Sequence, residues 1–175
     1  MSREFGPATQ NGVVVADLDA ALAYWTGGLG VGPFYRIDNL ENASFFQRGE
    51  QLASPAMSIA LANWGDLQIE LICPHGAGGS TWHRYLESSG GGLHHISTWS
   101  EHYDRDVARA FTLGRLEECR GQVKDGPRYT YFQPDIPGQP LLEISELLPQ
   151  SAEIYRHIRE EARNWDGRNA IRRLG

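Results

Sequence analysis

The chain has 175 residues, of which 41% are hydrophobic and 10% aromatic, and a formal net charge of −6. That suits one domain with a sizeable core and excludes a disordered polymer. The acidic balance argues against nucleic-acid binding, and no run approaches the ~18 apolar residues of a membrane span. The opening MSREFGPATQ lacks the apolar core of a signal peptide, so a cytoplasmic location is expected.

Residues 11–16, NGVVVA, are β-branched and read as a strand. Asp17 then caps a helix whose Leu18, Ala21, Leu22 and Trp25 recur at i, i+3, i+4 and i+7, with Gly27 and Gly28 at its end. GVGPFYRI (30–37) is extended, and 39–50 is a polar segment. MSIALAN (57–63) and GDLQIELI (65–72) are strands joined by a tight turn at Trp64-Gly65. A short helix over TWHRYLESS (81–89) follows the loop PHGAGGS.

The pattern then begins again. HHISTW (94–99) is a strand, and EHYDRDVARAFTLG (101–114) is a helix with Tyr103, Val107, Ala110 and Phe111 on one side. LEECRGQV, RYTYFQ and PLLEISEL are strand-like, separated by the turn-prone KDGP and PDIPGQP. Both first helices end in Leu-Gly, at Leu29-Gly30 and Leu113-Gly114. A βαβββ unit is therefore repeated, over about 8–75 and about 91–148. The fold class is α+β: two such modules pair into a curved, cup-shaped mixed sheet with helices outside. They form one domain over 1–148, followed by a C-terminal helical extension over 149–175.

In the extension, Ile154, Ile158, Ala162 and Trp165 recur at helical spacing, and Trp165-Asp166-Gly167 reads as a stop. The extension covers the mouth of the cup, packs on a second subunit, or lengthens the core; the pattern leaves all three open. Its arginines, interleaved with Glu160, Glu161 and Asp166, read as a solvated face. Cys73 and Cys119 have no C-x-x-C spacing, which argues against a disulfide framework or thiolate zinc site.

When the two halves are superposed, four polar residues coincide in pairs. Gln10 opens the first strand of half one and His95 that of half two; Glu70 and Glu143 lie in the two last strands. Related by a pseudo-twofold, they converge inside the cup. One imidazole nitrogen, one amide oxygen and two carboxylates suit a divalent ion, Zn, Ni, Co, Mn or Fe. Alternation along the strand puts Ser97 and Trp99 on the face of His95 and turns His94 away with Ile96, toward the helix. His94 is thus expected to be a hydrogen-bonded structural histidine.

The segments VVVADLDAALAYWTGGLGVGPF, IALANWGDLQIELICP, GGLHHIS and PLLEISEL resemble the vicinal oxygen chelate superfamily, over roughly 8–148. This group includes glyoxalase I, methylmalonyl-CoA epimerase, extradiol dioxygenases and resistance proteins. DLDAAL…LGVGPF and GLHHI are similar to its epimerase-like and glyoxalase-like branch. The resemblance implies one divalent metal ion on Gln10, Glu70, His95 and Glu143, a small-molecule carbonyl substrate, and a homodimer.

It also implies an isomerase, epimerase or lyase that abstracts a proton beside the carbonyl, with Glu143 as first base and Glu70 opposite it. Trp99, Trp64, Phe46 and Tyr131 are expected to line the substrate pocket. The alternative is a non-catalytic protein that sequesters an aromatic or apolar ligand. A dioxygenase, whose relatives use two histidines and one carboxylate, fits Gln10 less well.

Overall fold

The computed structural model describes residues 2–76 and 78–174. The first half runs β1 (Gln10–Val14), α1 (Leu18–Ala23), β2 (Phe34–Ile37), β3 (Asn42–Gln47), β4 (Glu50–Gln51), β5 (Met57–Trp64) and β6 (Leu67–Pro74). The Asp17 carboxylate accepts from the backbone N–H of Asp19 and Ala20, at 2.9 and 3.0 Å, and so starts α1 as expected. The helix widens into a π-helical turn over Tyr24–Gly28 before the chain returns to the sheet.

A connecting helix α2 (Thr81–Ser89) leads to β7 (Gly92–Ser100), α3 (Tyr103–Thr112), β8 (Glu117–Val123), β9 (Arg128–Phe132) and β10 (Leu141–Glu146). The tail adds α4 (Pro149–Arg163) and β11 (Ile171–Arg173). Among the described residues no helix is long and apolar enough to cross a membrane.

All strands join one open, curved sheet in the order β11-β2-β5-β6-β1-β7-β10-β9-β8-β3-β4. Its centre has the symmetry that the repeat requires. β2-β5-β6-β1 meets β7-β10-β9-β8 across an antiparallel β1–β7 seam, and each seam strand runs parallel to the last strand of its own half. α1 covers one half from outside through Leu18 and Leu22, packed on Ala60, Ala62, Ile69 and Leu71. α3 covers the other through Tyr103 and Ala110, on Phe132 and Ile144. The concave side holds a third cluster, in which Trp82 of α2 and Ile158 of α4 pack with Ile59, Ile72, Tyr129 and Tyr131.

β5 and β6 are covered on both faces and therefore read as near-continuous apolar runs. In β6 the outward Ile69 and Leu71 meet α1, which leaves Gln68, Glu70 and Ile72 for the concave side.

Two elements depart from the sequence reading. The segment 39–50 contains β3, and β3 does not stay with its own half. It crosses to pair antiparallel with β8 and folds back through β4. Only Phe45 is fully buried in β3, so the strand carries almost no apolar periodicity. The tail is also more than helical: after α4, β11 pairs parallel with β2 at the opposite edge. Trp165 lies past the helix end, its ring against Gly32 and its Nε1 donating to the Arg168 carbonyl at 2.7 Å.

Most of the tail arginines are in ion pairs, among them Arg156–Glu160, Arg163–Asp66 and Arg172–Glu161. They serve as a solvated, charge-paired face.

Candidate functional site

The β1–β7 seam brings the repeat-related residues together. Gly12 of β1 lies between Glu70 on β6 and His95 on β7. Glu143 of β10 lies opposite Ser97, two residues along from His95. His95 is fully buried, with its Nε2 3.2 Å from Glu143 Oε2 and 3.5 Å from Glu70 Oε2. Both His95 Nε2 and Glu143 Oε2 are buried and lack a hydrogen-bond partner. Such orphaned atoms are costly unless something charged sits between them.

The room for this arrangement comes from Gly12. A Cβ there would stand 1.8 Å from His95 Cε1. Gln10 is buried beside it, and its Nε2 donates to Gln68 Oε1 at 2.7 Å. Burial pushes the Glu70 carboxyl up to about 7; the His95 charge opposes the rise and the Glu143 charge adds to it.

His94 departs from the expected parity. Gly12 pairs with His95 but Val13 pairs with Leu93, so His94 occupies a bulge opposite no partner of its own. The bulge turns both imidazoles to the concave side. His94 packs against Trp82, Tyr85 and Tyr131, with its Nδ1 3.2 Å from His95 Nδ1 and its Nε2 3.4 Å from Thr81 Oγ1. Burial drives its pKa down to about 2, helped by the His95 and Arg84 charges, so the ring is neutral. It is hydrogen-bonded as expected, but it is fully buried and on the same side as His95.

Above these groups lies a cavity of about 280 Å³, near the lower end of the ~300–1,000 Å³ usual for small-molecule sites. Gln10, Glu70, Glu143 and Tyr131 line it, and the Tyr131 ring meets His95 edge-on at 4.9 Å. Three expected pocket aromatics lie elsewhere. Trp64 is 58% exposed, on the outward face with Ala60 and Ala62, and meets Trp25 at 6.2 Å. Phe46 points outward because its neighbour Phe45 takes the inward position, and Arg120 lies 4.3 Å over its ring. Trp99 is on the face of His95, yet Tyr155 of α4 stacks on it at 4.2 Å and itself lines the cavity.

The tail therefore closes its own cup, through Gln150, Ile154, Tyr155 and Leu174. Sequence reasoning missed Gln68, whose position two residues before Glu70 on an alternating strand was the available signal. It also missed Tyr155, which no periodicity connects to the repeat. Cys73 is buried beneath α1, and both Cys73 and Cys119 are unpaired.

Gln10, Glu70 and Glu143 line the cavity, and the buried His95 Nε2 lies 3.2–3.5 Å from the two carboxylates; an imidazole, two carboxylates and an amide are residue types that suit a divalent ion. Among the described residues, no three His, Cys, Asp or Glu side chains form a preassembled metal cluster.

A family description, Glyoxalase/Bleomycin resistance protein/Dioxygenase superfamily, matches residues 9–131. No curated protein matches the sequence. Among solved structures, the chain is similar to methylmalonyl-CoA epimerase from Mycobacterium tuberculosis, with 19% identity over 87% of this chain and 95% of that one, TM-score 0.64. A Streptomyces coelicolor methylmalonyl-CoA epimerase variant with bound 2-nitronate-propionyl-CoA is 20% identical over 83% and 96%, TM-score 0.59. A hypothetical protein from Bacillus halodurans is 18% identical over 82% and 96%, TM-score 0.60. At these identities the likeness is one of fold.

Proposed function

We propose a metal-dependent epimerase or isomerase, from the premise that the chain belongs to the Glyoxalase/Bleomycin resistance protein/Dioxygenase superfamily. The observation that carries this reading is the pair of buried atoms without a hydrogen bond, His95 Nε2 and Glu143 Oε2, which lie 3.2 Å apart, with Glu143 on the cavity wall and His95 fully buried behind it. Gln10, Glu70, His95 and Glu143 are the residues that would hold a divalent ion. When bound, the ion would supply Lewis-acid stabilisation of negative charge developing on a substrate oxygen.

The chain's own groups do the rest. Glu143 takes a proton from the carbon beside the substrate carbonyl on one face, and Glu70 delivers a proton to the same carbon from the opposite face, which inverts it. An epimerase needs two such carboxylates. A neighbouring fold carries methylmalonyl-CoA in its site, and a thioester with an acidic C–H is one substrate class compatible with this chemistry.

Two buried partners orient the set. His94 Nδ1 lies 3.2 Å from His95 Nδ1, so the buried His94 ring holds the His95 imidazole in its orientation. Gln68 Oε1 accepts from the Gln10 amide nitrogen and so holds that side chain in place. Gln68→Leu frees that amide to turn, and metal affinity is expected to fall about 10–100-fold by isothermal titration. An unchanged affinity would remove Gln68 from the site.

The direct test is the metal content of purified protein beside His95→Ala and Glu143→Ala. About one divalent ion per chain, lost in both variants, is the expected result for a single shared site. A wild type that takes up none of Zn²⁺, Ni²⁺, Co²⁺ or Mn²⁺ would end the metal reading.

A further inference from the structure

We infer that Trp82 is a specificity-determining residue: its indole N–H donates a hydrogen bond to an uncharged carbonyl oxygen on the ligand that fills the cavity. The inference goes beyond the chemistry proposed for Glu70 and Glu143 and does not rest on a metal ion.

Trp82 stands in the first turn of α2, lines the cavity and is 3% exposed. Its Nε1–H is buried and, among the described residues, has no hydrogen-bond acceptor. A buried indole N–H usually has a partner, because leaving it dry and unpaired is costly. Four rings pack against the indole, those of Phe45, His94, Tyr129 and Tyr131, with centroids 5.7–6.4 Å away. Phe45 has no acceptor to offer, the His94 nitrogens face His95 and Thr81, and the Tyr129 hydroxyl donates to Asn42. A phenylalanine at this position would fill the same aromatic cluster without an orphaned donor. The acceptor therefore comes from the cavity side, with the ligand.

That acceptor is uncharged. Glu70 and Glu143 line the same cavity, and the one cation among the described lining residues, Lys124, is paired with Glu41 at 2.6 Å. An anionic group would meet two carboxylates without a free counter-ion, whereas a ketone, ester or amide oxygen gains the hydrogen bond without that penalty. Ile37, Ile59, Ile72 and Ile154 on the other walls receive the apolar body that carries the oxygen.

The test uses acetophenone and α-methylstyrene, which share a shape and differ by a carbonyl oxygen against a methylene. Each is titrated into the ¹⁵N-labelled full chain and into Trp82→Phe, which keeps an aromatic ring and removes the N–H. In the wild type, acetophenone is expected to move the Trp82 indole proton resonance downfield, beyond the ring-current shift that α-methylstyrene also produces. In Trp82→Phe, acetophenone should bind about three- to tenfold more weakly, the worth of one neutral hydrogen bond. The affinity for α-methylstyrene should stay unchanged, which also reports that the cavity is intact. An indole resonance that responds alike to both probes would overturn the inference, since the N–H is then spent on the face of a neighbouring ring. So would binding of neither probe, or equal weakening of both in Trp82→Phe. The wild-type resonance decides the matter by itself if Trp82→Phe does not fold.

Discussion

Gly12→Ala is expected to abolish the metal uptake proposed for this site and to lower the thermal unfolding midpoint. The added Cβ would stand 1.8 Å from His95 Cε1 and 2.3 Å from both ring nitrogens, so one of the two must move. The His95 ring has nowhere to go: it is fully buried, Tyr131 meets it at 4.9 Å, and His94 Nδ1 lies 3.2 Å from its own Nδ1. Overpacking of this kind costs about 1–3 kcal/mol, and at this chain length each kcal/mol moves the midpoint by about 2–4 °C. Calorimetry and elemental analysis on the same preparation check both effects. A variant with the wild-type midpoint and full metal content would show that the ring is not confined as described.

Glu143→Gln separates proton transfer from metal binding. The amide keeps the size and one oxygen donor of the carboxylate but does not accept a proton at neutral pH. Turnover should therefore drop by about 10²–10⁴-fold, the usual contribution of a positioned base, with the metal retained. Solvent deuterium entering the carbon beside the carbonyl of 2-oxohexanoate, followed by NMR, gives a readout that does not require the natural substrate. Retained exchange in Glu143→Gln would move the base role to Glu70. A wild type that binds the probe without any exchange would favour the sequestering alternative over an enzyme.

Both variants act on groups that could be located by strand parity and repeat alone, and that is where the sequence was most informative. Apolar runs in β5 and β6, the Asp17 cap and the doubled Leu-Gly helix ends reveal two like halves, because each is a local pattern. Superposing the halves was enough to single out Gln10, Glu70, His95 and Glu143, because a pseudo-twofold needs only equal positions in each half. Phe46, named as a pocket candidate without any strand register behind it, faces away from the cavity because its neighbour Phe45 takes the buried position in β3.

Other features had no local signature. The bulge that turns His94 inward depends on how β7 registers against β1, a strand remote in sequence. β3 joins the far half through backbone pairing with β8, which polar residues make as well as apolar ones. The tail's place over the cup was one of three open outcomes. It was decided by long-range packing, with Ile158 buried in the concave cluster, Tyr155 stacked on Trp99, and β11 added to β2. The sequence by itself determined the repeated modules and the four polar positions, since these follow from short-range periodicity. Only the tertiary structure decided which imidazoles share a face and what closes the cavity, because those depend on contacts between segments far apart in the chain.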